Sequence, residues 1–271
     1  MGSAPPPLLS LPCHLPEVWT AELPLLPPIE RFLLRGLMTA FGPLVSVEGA
    51  ERLAGVPEPA IFALNHTTTF ECLAVPAALH WLRQGRRLHF LIDWMYLHLP
   101  AVGWLMRRSL PVPVYGKPQR WRLGEHHRRT QARRPVVDAC LERLAAGGSL
   151  GIFPEGTRNR LPGHLLPGRP GLGEIVLRST VPVVPVGLRF PAAERLGRPP
   201  RFGRIVLAIG EPLAFAAERA DAAGLSGDAR RTHARQIVAG VMADLAHLSG
   251  KRTTAGRPRL SPSRLATERR P

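Results

Sequence analysis

Two short polar segments of this 271-residue chain carry side chains able to move a proton or hold an anion. Asn65-His66-Thr67-Thr68-Thr69-Phe70-Glu71 comes directly after Ala60-Ile61-Phe62-Ala63-Leu64, which reads as a buried strand. Phe153-Pro154-Glu155-Gly156-Thr157-Arg158 likewise ends an apolar run that starts at Ser149. Polar residues at strand ends, leading into loops or helix starts, are where open α/β sheets build their sites. An imidazole titrates near pH 6.5 and suits general-base work, best when a carboxylate holds its other ring nitrogen, so His66 and Glu71 are the candidate pair. An offset of five does not place two residues on one face of a helix, but a histidine in the loop and an acid in the first helical turn can meet. Glu71 also completes a Thr-x-x-Glu capping box with Thr68, which needs no catalytic role, and His66 could simply bond the backbone. In the second segment Gly156 permits close backbone approach, Thr157 offers a hydroxyl and Arg158 a two-pronged phosphate donor. A turn with a solvated arginine would look the same.

Alternating strands and helices are needed to present these loops, and the chain has that pattern. Strands are expected at 60–64, 88–92, 110–115, 149–153, 181–188 and 205–209, with Pro111 and Pro113 placing the third at an edge or bend. Helices are expected at 71–83, 136–146, 172–178 and 230–248, the second stopped by Gly147-Gly148. The fold class that follows is α/β: a single-domain sandwich with a mostly parallel or mixed central sheet flanked by helices. Residues 1–22 are Pro-rich and read as irregular, and residues 250–271 as a disordered basic tail with seven basic residues and one acid.

At 45% hydrophobic residues the chain can bury one sizeable core. Three cysteines, at 13, 72 and 140, make a disulfide framework or a cysteine zinc site unexpected and favour a reducing compartment. Only Lys117 and Lys251 among the 36 basic residues are lysines, which points to compositional bias of the genome as one source of the net charge of +16; attraction to anionic lipid, nucleic acid or a phosphorylated substrate is the other. The first 16 residues hold no Lys or Arg, so a secretory leader is not expected. No apolar run is long enough to span a bilayer. Between Leu23 and Val47, Ile29, Phe32, Leu33, Leu37 and Phe41 follow helical spacing behind Pro27-Pro28. Such an amphipathic helix can lie on a bilayer or pack on a core.

Taken together, the two segments resemble the 1-acylglycerol-3-phosphate acyltransferase family of lysophospholipid acyltransferases, with its N-H-x4-D and F-P-E-G-T-R motifs. Between them that family has a strand ending in a basic residue, and after them a V-P-x-x-P-V strand; this chain has Leu110 to Lys117 and Val181-Pro182-Val183-Val184-Pro185-Val186. Order and spacing agree over roughly residues 44–210. Two departures stand out: Glu71 replaces an aspartate, and Lys117, with Arg120 three later, occupies the place of an arginine. The resemblance implies an acyltransferase domain at 44–249 and a membrane-associating helix at 23–43. It implies transfer of a fatty acyl group from a thioester donor, acyl-CoA or acyl carrier protein, to a lysophospholipid hydroxyl, most plainly 1-acylglycerol-3-phosphate to phosphatidic acid, in phospholipid biosynthesis. His66, oriented by Glu71, would take the hydroxyl proton. Arg158 with Lys117 or Arg120 would bind the phosphate, and Glu155, Gly156 and Thr157 would hold the glycerol part or the loop itself. No cofactor or metal is implied. The partners would be membrane lipid and the two substrates, at the cytoplasmic face of a membrane, with the protein peripheral.

Two other functions compete. Gly147-Gly148-Ser149-Leu150-Gly151 matches the G-x-S-x-G of serine hydrolases, but that elbow needs a strand before the serine and a helix after it, the reverse of the context here. The basic tail and Arg128-Arg129 with Arg133-Arg134 would suit a nucleic-acid or membrane binder without catalysis, yet there is no nucleic-acid-binding motif and aromatics are only 6%, so no nucleic acid is expected. The adjacent His126-His127 lacks metal-ligand spacing.

Overall fold

The computed structural model describes residues 8–11, 15–116, 122–131, 135–159, 161, 163–192, 202–253 and 263–264. Along the chain the strands are β1 (Leu8–Ser10), β2 (Val45–Glu48), β3 (Ile61–Leu64), β4 (Leu88–Asp93), β5 (Val112–Val114) and β6 (Ser149–Ile152). They continue with β7 (His164–Leu165), β8 (Val183–Arg189), β9 (Ile205–Ile209), β10 (Leu213–Ala214), β11 (Arg252–Thr253) and β12 (Ser263–Arg264). The main sheet runs β1-β2-β9-β8-β3-β6-β4-β5. Its neighbours from β8 through β3, β6 and β4 to β5 are parallel, as are β2 and β9, while β1–β2 and β8–β9 are antiparallel.

Uniformly apolar strands in a parallel sheet must be covered on both faces. All four residues of β3 are buried. Phe62 and Leu64, with Val184 and Val186 of β8, face one core. Helices α1 (Leu15–Thr20), α2 (Pro28–Phe41) and α3 (Glu71–Leu82) contribute Val18, Leu34, Met38, Val75 and Leu79 to it. Ile61 and Ala63, with Leu150 and Val183, face the other. On that side α6 (Val136–Ala145), α7 (Gly171–Leu177) and α9 (Gly227–Ser249) cover the sheet with Cys140, Ile175 and Val241; the chain also forms α4 (Val102–Arg108), α5 (Arg122–Gln131) and α8 (Ala216–Asp221). Each such fully buried aliphatic or aromatic side chain contributes about 1.5–3 kcal/mol.

Most elements lie where their periodicity places them, and the differences have local causes. The amphipathic helix begins at Pro28, not Leu23: proline suits the first helical turn because its missing N–H is unneeded there. Strand β5 is only Val112–Val114, at the sheet edge, as its prolines require. Residues 1–22 are not irregular throughout. Leu9 pairs with Val47 in an edge strand, and Leu15–Thr20 is helical with Val18 buried. The disordered tail is corrected in the same way: Gly250, at φ +67°, ends α9 in the left-handed conformation, and Arg252–Thr253 then pair with His164–Leu165. Residues 254–262 and 265–271 of that tail lie outside the described residues.

Strands β3 and β6 are direct parallel neighbours, Phe62 opposite Gly151. Their carboxyl ends therefore lie side by side, and residues 65–70 and 153–158 leave the sheet at the same edge.

Candidate active site

Asn65 continues β3 with its side chain instead of its backbone. Its Nδ2 donates to the Leu188 carbonyl at 3.1 Å and its Oδ1 accepts the Leu188 N–H at 2.6 Å, with no exposed surface. His66 and the three threonines then turn the chain into α3. Glu71, fully buried in the first turn, gathers the donors of that turn. Its Oε1 accepts the Thr67 N–H and meets His66 Nδ1, both at 2.5 Å, and its Oε2 accepts the Thr68 N–H at 2.9 Å. The Glu71 N–H points back to Thr68 Oγ1 at 3.4 Å. Glu71 thus bonds the N–H groups at the helix start and holds the imidazole at once. A carboxylate on Nδ1 selects the tautomer protonated there, which leaves Nε2 as the basic nitrogen.

The second loop braces the first. Phe153 stacks on the His66 ring, centroids 4.4 Å apart and 27° between planes. Glu155, 2% exposed, accepts the His66 N–H on Oε1 at 2.9 Å and the Leu166 N–H on Oε2 at 2.8 Å. Glu155 thus holds the two chain segments together through its carboxylate. Asn159, also buried, donates its N–H to the His66 carbonyl at 2.8 Å and its side chain to the His164 carbonyl at 2.5 Å. Gly156 sits at φ +65°, and a Cβ there would come within 2.4 Å of Arg169 Nε, so this turn requires glycine. Thr157 and Arg158 emerge beyond it into solvent, where Arg158 Nη1 donates to Thr69 Oγ1 at 2.5 Å.

His66, Thr157, Arg158 and Arg169 line a cavity of about 740 Å³. Its walls are otherwise largely apolar, with Leu33 and Leu37 of α2, Leu73 of α3, Phe90 of β4, and Leu105 and Met106 of α4. The Cys72 thiol lies in the same wall; burial first, and Glu71 second, push its pKa up to about 12, so it is no thiolate nucleophile at neutral pH. Lys117 and Arg120 fall outside the described residues.

Ser149 has no nucleophile's setting. It is 1% exposed at the start of β6, where its hydroxyl accepts from Ala60 N–H and Arg83 and donates to Glu58. No imidazole is among these partners. Among the described residues no cluster of three or more His, Cys, Asp or Glu could hold a metal ion, and no helix is long and apolar enough to cross a membrane. Asn159, Arg169 and Lys251, whose ammonium donates to Thr67 Oγ1 at 3.1 Å, belong to the site without having been expected from the sequence. Asn159 lay one residue past the hexapeptide; the other two carried no local signal.

The chain was compared with known proteins. It is 27% identical over 144 residues to the chloroplastic 1-acyl-sn-glycerol-3-phosphate acyltransferase BAT2 of Brassica napus, covering 52% of this chain and 36% of that one. It is 27% identical over 146 residues to the chloroplastic LPAT1 of Arabidopsis thaliana, covering 53% and 35%. The matched stretch thus spans about a third of the length of these relatives. The crystal structure of the 1-acyl-sn-glycerophosphate (LPA) acyltransferase PlsC from Thermotoga maritima superposes with a TM-score of 0.50 and 22% identity, covering 80% of this chain and 81% of that one, a likeness of fold. The Acyltransferase family is matched by residues 44–189, from just before β2 to the end of β8, a stretch that contains both loops of the site and more than half of the sequence; the chain belongs to that family.

Proposed function

We propose that the protein transfers a fatty acyl group from a thioester donor to the free hydroxyl of a lysophospholipid, with 1-acylglycerol-3-phosphate as acceptor and phosphatidic acid as product, in phospholipid biosynthesis. One observation carries this reading: an imidazole held through Nδ1 by a fully buried carboxylate, at the wall of a largely apolar cavity that Arg158 also lines. The named acceptors of the plant relatives and of the Thermotoga protein agree with it. His66 Nε2 takes the acceptor hydroxyl proton as the oxygen attacks the thioester carbonyl, and Glu71 stabilises the imidazolium that forms. The tetrahedral intermediate collapses with cleavage of the carbon–sulfur bond, and the imidazolium returns its proton to the departing thiolate. The serine and cysteine settings described above give no covalent acyl-enzyme a place in this sequence of steps. Arg158 meets the acceptor phosphate, and the apolar walls take an acyl chain.

The bilayer supplies and receives these lipids. Helices α1 and α2 and the turn between them present Leu15, Trp19, Leu25, Ile29 and Phe32 to solvent, with Trp19 edge-on to Phe32 at 5.5 Å. Helix α2 packs on the core through Leu34 and Met38, so the same helix supports both readings of its periodicity, one per face. We read the exposed face as the part that rests on the cytoplasmic surface of a membrane, with the protein peripheral.

The test is an acyl-transfer assay with purified protein, vesicles carrying a panel of lysophospholipids, and acyl-CoA and acyl carrier protein thioesters in parallel. Phosphatidic acid should form from lysophosphatidic acid with one donor or both. Thioester hydrolysis with no acylated lipid would overturn the proposal.

A further inference from the structure

We propose that Lys251 is a positioning residue for the His66–Glu71 pair: it ties down the turn between them and sets a fixed positive charge beside the two buried carboxylates of the site. This rests on the function proposed above. The contact is specific. Lys251 Nζ donates to Thr67 Oγ1 at 3.1 Å, and the Thr67 N–H donates to the same Glu71 oxygen that meets His66.

The fold delivers this ammonium deliberately. The left-handed Gly250 reverses the chain after α9, and the Lys251 N–H closes the helix end on the Ala246 carbonyl at 3.0 Å. One residue later β11 pairs with β7, whose His164 carbonyl takes the Asn159 side chain of the second loop. Lys251 is therefore clamped between a helix end and a strand that is itself bonded to the catalytic loops. Glu71 and Glu155 are 0% and 2% exposed, and buried carboxylates need compensating charge. Burial pulls the Lys251 pKa below the usual lysine value, while Glu155 and Glu71 pull it back up.

The charges around His66 come from several elements. Helix α3 supplies Glu71 and the neutral Cys72 thiol; the second loop supplies Glu155 and Arg158; Arg169 overlies Gly156; and Lys251 comes from the end of α9. Lys251 adds to this set a cation beside the buried carboxylates of Glu71 and Glu155.

Lys251→Met keeps the aliphatic stem and removes the charge; Lys251→Arg keeps the charge. Both are assayed as full chains beside His66→Ala, on vesicles with lysophosphatidic acid and the active donor. Lys251→Met should lower kcat on the order of ten-fold through a slackened pair, with KM for the acceptor nearly unchanged. Lys251→Arg should restore most of kcat, a rescue that a merely structural loss would not show. An inactive His66→Ala beside a Lys251→Met with parental kcat removes this proposal alone. If His66→Ala keeps the parental rate, the base assignment falls and the role of Lys251 falls with it.

Discussion

The two loops at the carboxyl ends of β3 and β6 each contain a buried glutamate, and they use it differently. Glu71 spends its oxygens on the imidazole and on two backbone N–H groups of its own turn. Glu155 spends its oxygens on backbone N–H groups alone, one in each direction along the chain fold, at His66 and Leu166. Burial is nearly equal, so burial and charge do not by themselves mark an acid that takes part in proton transfer; the partner does. The loops also differ at their ends. The first keeps its reactive groups inside, whereas the second turns outward at Gly156 and offers Arg158 to solvent. One loop holds an imidazole in place, the other braces it and then turns an arginine to solvent; in the proposed reaction these are the proton acceptor and the group that meets the substrate's charged end.

Replacing the two acids and the base tests this contrast most severely. His66→Ala should cost transfer activity on the order of 10²- to 10⁴-fold, with the circular dichroism spectrum unchanged. Glu71→Gln should come close to it in kcat, since an amide cannot stabilise imidazolium. Glu155→Gln should instead appear as lost stability of about 1–3 kcal/mol, from a backbone donor left facing an amide NH₂, with a much smaller loss of rate. Equal kcat losses in the two glutamine variants at matched stability would erase the distinction between the loops.

Arg158→Ala should raise KM for lysophosphatidic acid by ten-fold or more, in line with about 1.5–3 kcal/mol for hydrogen bonds to charged groups, while kcat moves less. An acceptor without a phosphate should show no such loss, and a fall in kcat alone would argue that Arg158 braces the loop. Further from the chemistry, the double variant Trp19→Ser with Phe32→Ser should weaken binding to anionic vesicles several-fold without lowering Tm, because both side chains are exposed. Retention of full co-sedimentation would sink the membrane reading of α1 and α2. The smallest catalytic effect belongs to Ser149→Ala. It should lower stability by about 1–3 kcal/mol, through donors and acceptors left at Arg83, Glu58 and Ala60, and leave kcat as it was. Loss of turnover with acyl label on the protein would revive the hydrolase reading.

Several of these groups are legible in the primary structure because their physics is local. A run such as Ile61 to Leu64 reads as a buried strand, a Thr-x-x-Glu offset as a helix start, and a glycine between Glu155 and Thr157 permits close backbone approach. The adjacency of the two loops is different in kind. It depends on β3 and β6 being parallel neighbours, a long-range pairing that no window of residues encodes, although the resemblance of motifs pointed to it. Where the oxygens of Glu71 and Glu155 find their donors is likewise fixed only by the tertiary structure. The same holds for Asn159 and Lys251. Lys251 sits 184 residues from its partner Thr67, in a stretch whose composition reads as a solvated tail, and only the reversal at Gly250 and the short pairing of β11 with β7 bring its ammonium beneath the active-site turn. Local propensity settles elements; which buried charge meets which donor is a property of the packed chain.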